Sequence, residues 1–254
     1  MMSSTPPIGI IAALPQELTG LVDMASPIRQ VGGVDFRAGM LAGHDAVFCE
    51  SGIGKVNSAI RATVLMQTYG CRALVFSGVA GGVDPTLNIG DVVIADRLVQ
   101  HDYGALRTDG LVPFKPGVPP LPGFEGEPGY IPDPALLRRV LAAASGAALL
   151  PLSAAFTAGV ARKPQVIAGT VATGDVFINS EFARIDLYGQ HGARAVEMEG
   201  AAVAQVADHF GVPLVVIRCL SDLAGAESHL DFGAFLPEAA QIAAAVTRAV
   251  VAVL

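Results

Sequence analysis

The chain has 254 residues, is 52% hydrophobic and only 15% charged, and carries a formal net charge of −7. That length and apolar content support one large core and argue against a disordered chain. The acidic balance, with no basic run, argues against nucleic acid or an anionic membrane as a partner.

Taken in order, residues 8–13 form an apolar run that predicts a strand, and Pro15 suits the first turn of a helix over residues 17–24. Residues 34–40 and 45–51 predict an antiparallel pair turned at Ala42, Gly43 and His44. Residues 56–69 have helical periodicity, and strands follow at 73–77 and 91–95. Residues 113–134 break this rhythm, because their prolines and glycines exclude a helix or a central strand. They are expected to form a loop insertion, of the length that serves as a lid or stays disordered. Beyond it come a helix at 134–145, a strand at 166–173, a helix at 180–188, a strand at 193–198, a helix at 199–210 and a strand at 214–220. The run to 254 is apolar but Ala-rich and is interrupted by Gln241 and Arg248, so a packed helix over 235–254 is expected in place of a membrane span. The alternation predicts a single mixed α/β domain over residues 1–254. Cys49, Cys71 and Cys219 sit in or beside apolar runs without a CxxC spacing, the pattern of reduced core thiols in a cytoplasmic protein. The first seven residues are too short and too polar for a signal peptide.

The chemistry concentrates at strand ends. The strand carrying Val196 ends at Glu197, Met198 and Glu199 and runs into an Ala/Gly-rich helix, and the strand 214–220 is followed by Ser221 and Asp222. Ligands of open α/β sheets sit outside the carboxyl ends of strands, so two adjacent strands delivering acids there predict a site. Glu17, after the first strand, fits the same edge, although a carboxylate also suits a helix N-terminus for electrostatic reasons alone. Gly78-Val79-Ala80-Gly81-Gly82 lacks the GxGxxG spacing and a following helix, so it is no dinucleotide fingerprint. It predicts either close ligand approach or a tight turn after Ser77. Ser51-Gly52-Ile53-Gly54-Lys55 has the wrong spacing for a P-loop and predicts a packing or hinge turn. Phe177, beside Asp175, suits either the core or stacking on a flat base. The segment Ser228, His229, Leu230, Asp231 and Phe232 is expected to cap the last helix and line a pocket, with His229 structural. No His/Cys/Asp cluster has metal-ligand spacing, and no GxSxG elbow is present.

Taken together and in this order, the glycine-containing first strand with Glu17, the segment 51–56, the stretch 78–82 with Asn88-Ile89-Gly90-Asp91, Thr173-Gly174-Asp175 with Phe177-Ile178-Asn179, Val196-Glu197-Met198-Glu199 and Ser221-Asp222 resemble the nucleoside phosphorylase/nucleosidase family. The match spans nearly the whole chain apart from residues 113–134. The resemblance implies a three-layer α/β/α fold with a central mixed, twisted, partly barrel-like sheet. It implies a cytoplasmic homodimer acting on a small-molecule nucleoside in methionine salvage, with no cofactor and no metal. It makes Glu17 the base that activates water, Asp222 the acid that protonates the purine and Glu199 the acceptor for ribose hydroxyls. Phe177 would stack on the base and the backbone of Ile178 would read its edge. Met198 and Phe232 would pack around the ligand, Arg218 would help hold the water, and Val79, Ala80, Gly81, Glu197 and Ser221 would complete the substrate site. Where the family commonly has Ser, this chain has Val79.

The residue types suit this chemistry in their own right. Cleaving an N-glycosidic bond builds positive charge on the sugar and negative charge on the leaving purine, which an acid relieves and anionic carboxylates favour respectively. The activity implied is hydrolysis of 5′-methylthioadenosine and S-adenosylhomocysteine to adenine. A futalosine or aminodeoxyfutalosine hydrolase shares the acids and differs in the 5′ group. A purine or uridine phosphorylase needs cations for phosphate, and no arginine lies in the glycine stretch or near Glu17 in sequence. A nucleoside-binding protein needs neither base nor acid. Residues 113–134, with apolar Phe114, Leu121 and Phe124, are expected to cover the 5′ side of the pocket near a subunit contact.

Overall fold

The computed structural model describes residues 5–22, 28–108, 110–124, 126–149, 151–153, 162–225 and 228–254. Strand β1 (Ile8–Ala12) is buried throughout, as a strand covered on both faces must be. It runs parallel to β4 (His44–Glu50) on one side and to β5 (Ala73–Gly82) on the other. Outward from β4 lie β3 (Val34–Leu41) and β2 (Ile28–Val31), both antiparallel. The β3–β4 turn has positive φ at Ala42 and Gly43, as a tight two-residue hairpin requires.

On the other side of β5, the sheet continues through β12 (Leu214–Asp222), β6 (Val92–Gln100), β10 (Val166–Thr173) and β11 (Ala193–Glu197). It then closes on itself. Ala195 and Val196 of β11 pair antiparallel with Gly82 and Gly81 at the end of β5. Strands β5, β12, β6, β10 and β11 therefore form a barrel, with β1 to β4 as an open wing. The two-residue β9 (Gly129–Tyr130) pairs with β6, and β7 (Gly104–Arg107) with β8 (Gly110–Pro113) makes a separate hairpin.

Side-chain alternation along β5 builds the two cores. Leu74 and Phe76 point to one face, where α2 (Lys55–Tyr69) packs on α5 (Gly200–Phe210). Val75 points to the other, among side chains of α1 (Pro15–Leu18), α3 (Pro134–Ser145) and α6 (Ser228–Val251). Pro134 and the Asp133 carboxylate, which accepts from Leu136 N at 2.8 Å, start α3. Leu187 of α4 (Glu181–His191) packs with Ala193 and Val196 of β11. By length and composition α6 is apolar enough to cross a membrane. Here Phe235, Ala239, Ala243, Val246 and Val250 are buried in the core.

Several expectations are corrected. Strand β5 does not stop at Ser77 but runs through its glycines to Gly82, because β12 and β11 both supply backbone partners there. The tight turn is therefore ruled out. Strands β11 and β12 are not neighbours, since the end of β5 stands between them. Helix α1 is a single turn, and residues 23 and 24 of the expected helix lie outside the described residues. Helix α6 starts at Ser228 and carries Pro237 inside it. Residues 113–134 are not loop throughout, since Pro113 ends β8 and Gly129–Tyr130 form β9. Among the described residues of this segment, Lys115 and residues 129–133 border a groove separate from this subunit's cleft, where Lys115 sits 3.2 Å from Asp208 and over the Tyr130 ring. Phe114 is buried, and Leu121 and Phe124 are exposed.

Because Leu74 is fully buried between β1 and α2, Leu74→Ala is expected to lower stability by about 2–5 kcal/mol. Urea unfolding monitored by circular dichroism checks this.

Candidate active site

The site lies where the barrel meets the wing. Helix α1 follows β1 so tightly that Glu17 folds back on its own turn, Oε2 accepting from Ala13 N and Leu14 N at 2.8 Å each. Its Oε1 accepts from Val79 N at 2.9 Å. Burial pushes the Glu17 carboxyl up; Arg218 and these amides pull it back without cancelling the rise.

Arg218 comes from the middle of β12, in register with Gly78. Its guanidinium is 1% exposed and lies over the Phe76 ring at 4.2 Å. Nη2 donates to Glu197 Oε2 at 2.5 Å and stands 3.8 Å from Glu199 Oε2. A Cβ on Gly78 would fall 2.5 Å from Arg218 Nη1 and 2.7 Å from Glu17 Oε1. The bare backbone at Gly78 is what admits both groups.

Glu197 and Glu199, two residues apart, have different surroundings. Glu197 Oε1 accepts from Thr173 Oγ1, and Oε2 accepts from Arg218, from Glu199 N at 3.1 Å and from Gly200 N at 2.7 Å. It is committed to the first turn of α5, where a carboxylate is favoured. Glu199 Oε1 accepts from Gly54 N at 2.8 Å, and among the described residues Oε2 has only the more distant Arg218. Burial and then the neighbouring Glu197 charge push the Glu199 carboxyl up to about 8, against the pull of Arg218.

Asp222 ends β12 at a break in register: Leu220 pairs with Ala80 and Asp222 with Gly81, leaving Ser221 as the extra residue. Its Oδ1 accepts from Ala224 N at 2.9 Å and its Oδ2 from Ser221 Oγ at 3.0 Å. Phe177 is 47% exposed and meets Phe232 edge-to-face, with ring centroids 6.2 Å apart.

One cleft gathers Glu17, Val79, Ala80, Gly81, Phe177, Glu197, Met198, Glu199, Ser221, Asp222 and Phe232. Ile178 lines an adjoining recess with Phe177, Met198 and Asp222. Arg218 lies beneath the carboxylates and does not line the cleft. The side chains of Ser228, His229, Leu230 and Asp231 lie outside the described residues. Leu14 and Ile53 line the cleft without having been singled out for it. For Ile53 the signal was present in its glycine-rich motif, and for Leu14 in its position next to Glu17.

Residues 7–252 match the phosphorylase superfamily. The chain belongs to that superfamily. A 5′-methylthioadenosine/S-adenosylhomocysteine nucleosidase of Mycobacterium tuberculosis is 46% identical over 94% of both chains. Among solved structures, the Streptococcus pneumoniae enzyme of that name, with a transition-state inhibitor, is 32% identical over 97% of this chain and 99% of its own, with a TM-score of 0.79. A futalosine hydrolase of Helicobacter pylori is 31% identical over 98% of both chains, also with a TM-score of 0.79. Within this superfamily fold, the cleft is built from segments far apart in the chain: α1 and the residues before it, Ile53 after β4, the end of β5, the turn after β10, the ends of β11 and β12, and Phe232 of α6.

The raised Glu199 has a stability consequence. Its folded pKa of about 8 lies above the ordinary 4.5, so the folded state binds more protons than the unfolded state between those values. Stability therefore falls as pH rises through this window, by roughly 1 kcal/mol per pH unit from this group. Glu199→Gln is expected to flatten that part of the stability–pH curve, measured by urea unfolding from pH 5 to 8.5.

Proposed function

We propose that the protein hydrolyses the N-glycosidic bond of 5′-methylthioadenosine and S-adenosylhomocysteine, releasing adenine. The observation that carries this reading is the meeting of Glu17, Glu199 and Asp222 in one cleft with an exposed aromatic ring, in a chain 46% identical to a nucleosidase of that name. Glu17 takes a proton from water as the water oxygen bonds to the anomeric carbon. The carbon–nitrogen bond breaks, its electrons pass to the purine, and Asp222 delivers a proton to the purine N7. The products are adenine and the 5-substituted ribose. Glu199 accepts the ribose hydroxyls through Oε2, since Glu197 is occupied by Thr173, Arg218 and two amides. Phe177 and Phe232 hold the base, with the backbone of Ile178 at its edge. The buried guanidinium of Arg218 keeps Glu17 closer to its ionised, basic form than burial alone would allow.

Water is favoured over phosphate as nucleophile because no Lys or Arg among the described residues lines the cleft. Phosphate binding needs such cations. The likeness to a futalosine hydrolase favours a second reading, in which the same acids act on a nucleoside with a larger 5′ group. We also read the protein as a cytoplasmic homodimer. Ile53, Val56 and Ile60, along with Phe182 and Ile185 of α4, are exposed apolar side chains suited to a partner subunit.

Free base is expected to appear from 5′-methylthioadenosine at the same rate with and without phosphate, followed by chromatography. Rates that climb with phosphate and yield ribose 1-phosphates would overturn the hydrolase reading. A panel adding S-adenosylhomocysteine and aminodeoxyfutalosine decides the 5′ group through relative kcat/KM.

Asp222→Asn and Glu17→Gln are each expected to lose roughly 10²–10⁴-fold in kcat while keeping nucleoside affinity, the usual effect of removing a positioned acid or base. Steady-state kinetics paired with calorimetric titration of an adenosine analogue tests both. Normal turnover in either variant reduces that carboxylate to a structural role.

A further inference from the structure

Behind the cleft wall, three charged side chains from three segments meet at the start of α2. Lys55 Nζ donates to Asp102 Oδ1 at 2.6 Å and stands 3.9 Å from Asp175 Oδ2. Main-chain amides complete the cluster: Asp175 Oδ1 accepts from Lys55 N at 2.8 Å, and Asp102 Oδ2 accepts from Asp175 N at 2.9 Å. Each carboxylate thus ties one segment to another, and the segments carry parts of the site. Gly54, next to Lys55, donates its N–H to Glu199 Oε1. Phe177 lies two residues beyond Asp175.

The cluster differs from an ordinary surface ion pair. The Lys55 side chain is 17% exposed and that of Asp102 is 24% exposed, and each carboxylate also receives a backbone N–H. Burial alone would push the Asp102 carboxyl up. Lys55 and the Asp175 amide reverse this and hold it below the usual carboxylate range. Gly54 has φ of +101°, and a Cβ there would sit 3.2 Å from Asp175 Oδ1. The backbone at Gly54 is therefore held in a left-handed conformation suited to glycine, pressed against the cluster, with its amide turned toward Glu199.

We propose that Lys55 and Asp102 are positioning residues for sugar recognition: their ion pair keeps the Gly54 amide on Glu199 Oε1 and so leaves Glu199 Oε2 free for the ribose hydroxyls. The inference rests on the nucleosidase reading only for what Glu199 binds. Without the latch, Glu199 loses its amide donor, and its nearest remaining cation is Arg218 at 3.8 Å. The carboxylate then turns from the sugar toward the buried guanidinium.

The test compares wild type with Asp102→Asn, Lys55→Met and the charge-retaining Asp102→Glu. Lys115→Met, which breaks the Lys115–Asp208 pair at 3.2 Å, serves as a control. Two readouts are taken on the full chain. One is the chemical shift and exchange protection of the Gly54 amide in glycine-labelled protein. The other is the ratio of kcat/KM for 5′-methylthioadenosine to that for its 2′-deoxy analogue. Asp102→Asn and Lys55→Met are expected to lose Gly54 protection. Their ratio should fall roughly tenfold, mostly through KM, as expected for loss of one charge-assisted hydrogen bond. Asp102→Glu should recover part of both, and Lys115→Met should move neither. An unchanged Gly54 amide in both variants overturns the proposal, as does a preserved ratio in an active enzyme whose Gly54 amide has come loose. A lowered Tm with both readouts unmoved makes the cluster a purely structural staple and also overturns it. If wild type leaves 5′-methylthioadenosine intact while the variants lose Gly54 protection, the positioning of Glu199 is upheld and the substrate reading is what fails.

Discussion

A single buried guanidinium organises the site. Arg218 is taken out of water in the middle of a sheet strand, where an unpaired cation would cost several kcal/mol. Glu197 supplies the close partner, the Phe76 face covers the flat side, and Glu17 and Glu199 complete the surrounding negative charge. Three carboxylates gather around one cation; burial first, and then the charge of Glu197, raises Glu199 to about 8 against the pull of Arg218. A cleft floored in this way suits a reaction whose sugar becomes cationic, because the field is in place before the charge develops.

The backbone that makes this possible is the glycine-rich end of β5. A strand there with ordinary side chains could not lie against Arg218 and Glu17 at Gly78, nor against Asp222 Oδ1, which a Cβ on Gly81 would approach to 2.9 Å. The same stretch pairs with β12 along one edge and β11 along the other. Closing the barrel and packing the acids around bare backbone are one structural event. The register break at Ser221 then brings both Ser221 and Asp222 into the cleft wall, as bulges next to functional sites commonly do.

Much of this was legible in the sequence, for identifiable reasons. The strands 166–173 and 214–220 and the helix 134–145 are marked by local signals: β-branched runs, helical periodicity, and a proline after an Asp cap. Glu17, Glu199 and Asp222 could be read because each lies at or shortly past the carboxyl end of a buried strand. The pairing of β11 with β5 was not legible, since glycines carry no apolar pattern and the register depends on residues more than a hundred positions apart. The stretch 78–82 therefore allowed a turn as readily as a strand. The short strands β2, β7, β8 and β9 are too brief for an alternation signal. The Lys55–Asp102–Asp175 cluster joins three segments by long-range ion pairs, and Asp102 sits in no motif that would have marked it. The different fates of Glu197 and Glu199 were equally hidden: two like residues in one tripeptide are separated only by the partners the fold brings to them.

Arg218 holds the Glu17 and Glu199 carboxyls below where burial alone would put them, and the pH dependence of kcat/KM for Arg218→Gln against wild type tests this most directly. Arg218 pulls both Glu17 and Glu199 down, so its removal raises both, and a base that must be ionised becomes available only at higher pH. The account predicts that the acidic limb of the profile moves to higher pH in the variant, with the fold retained by circular dichroism. An acidic limb in the same place as in wild type would contradict it.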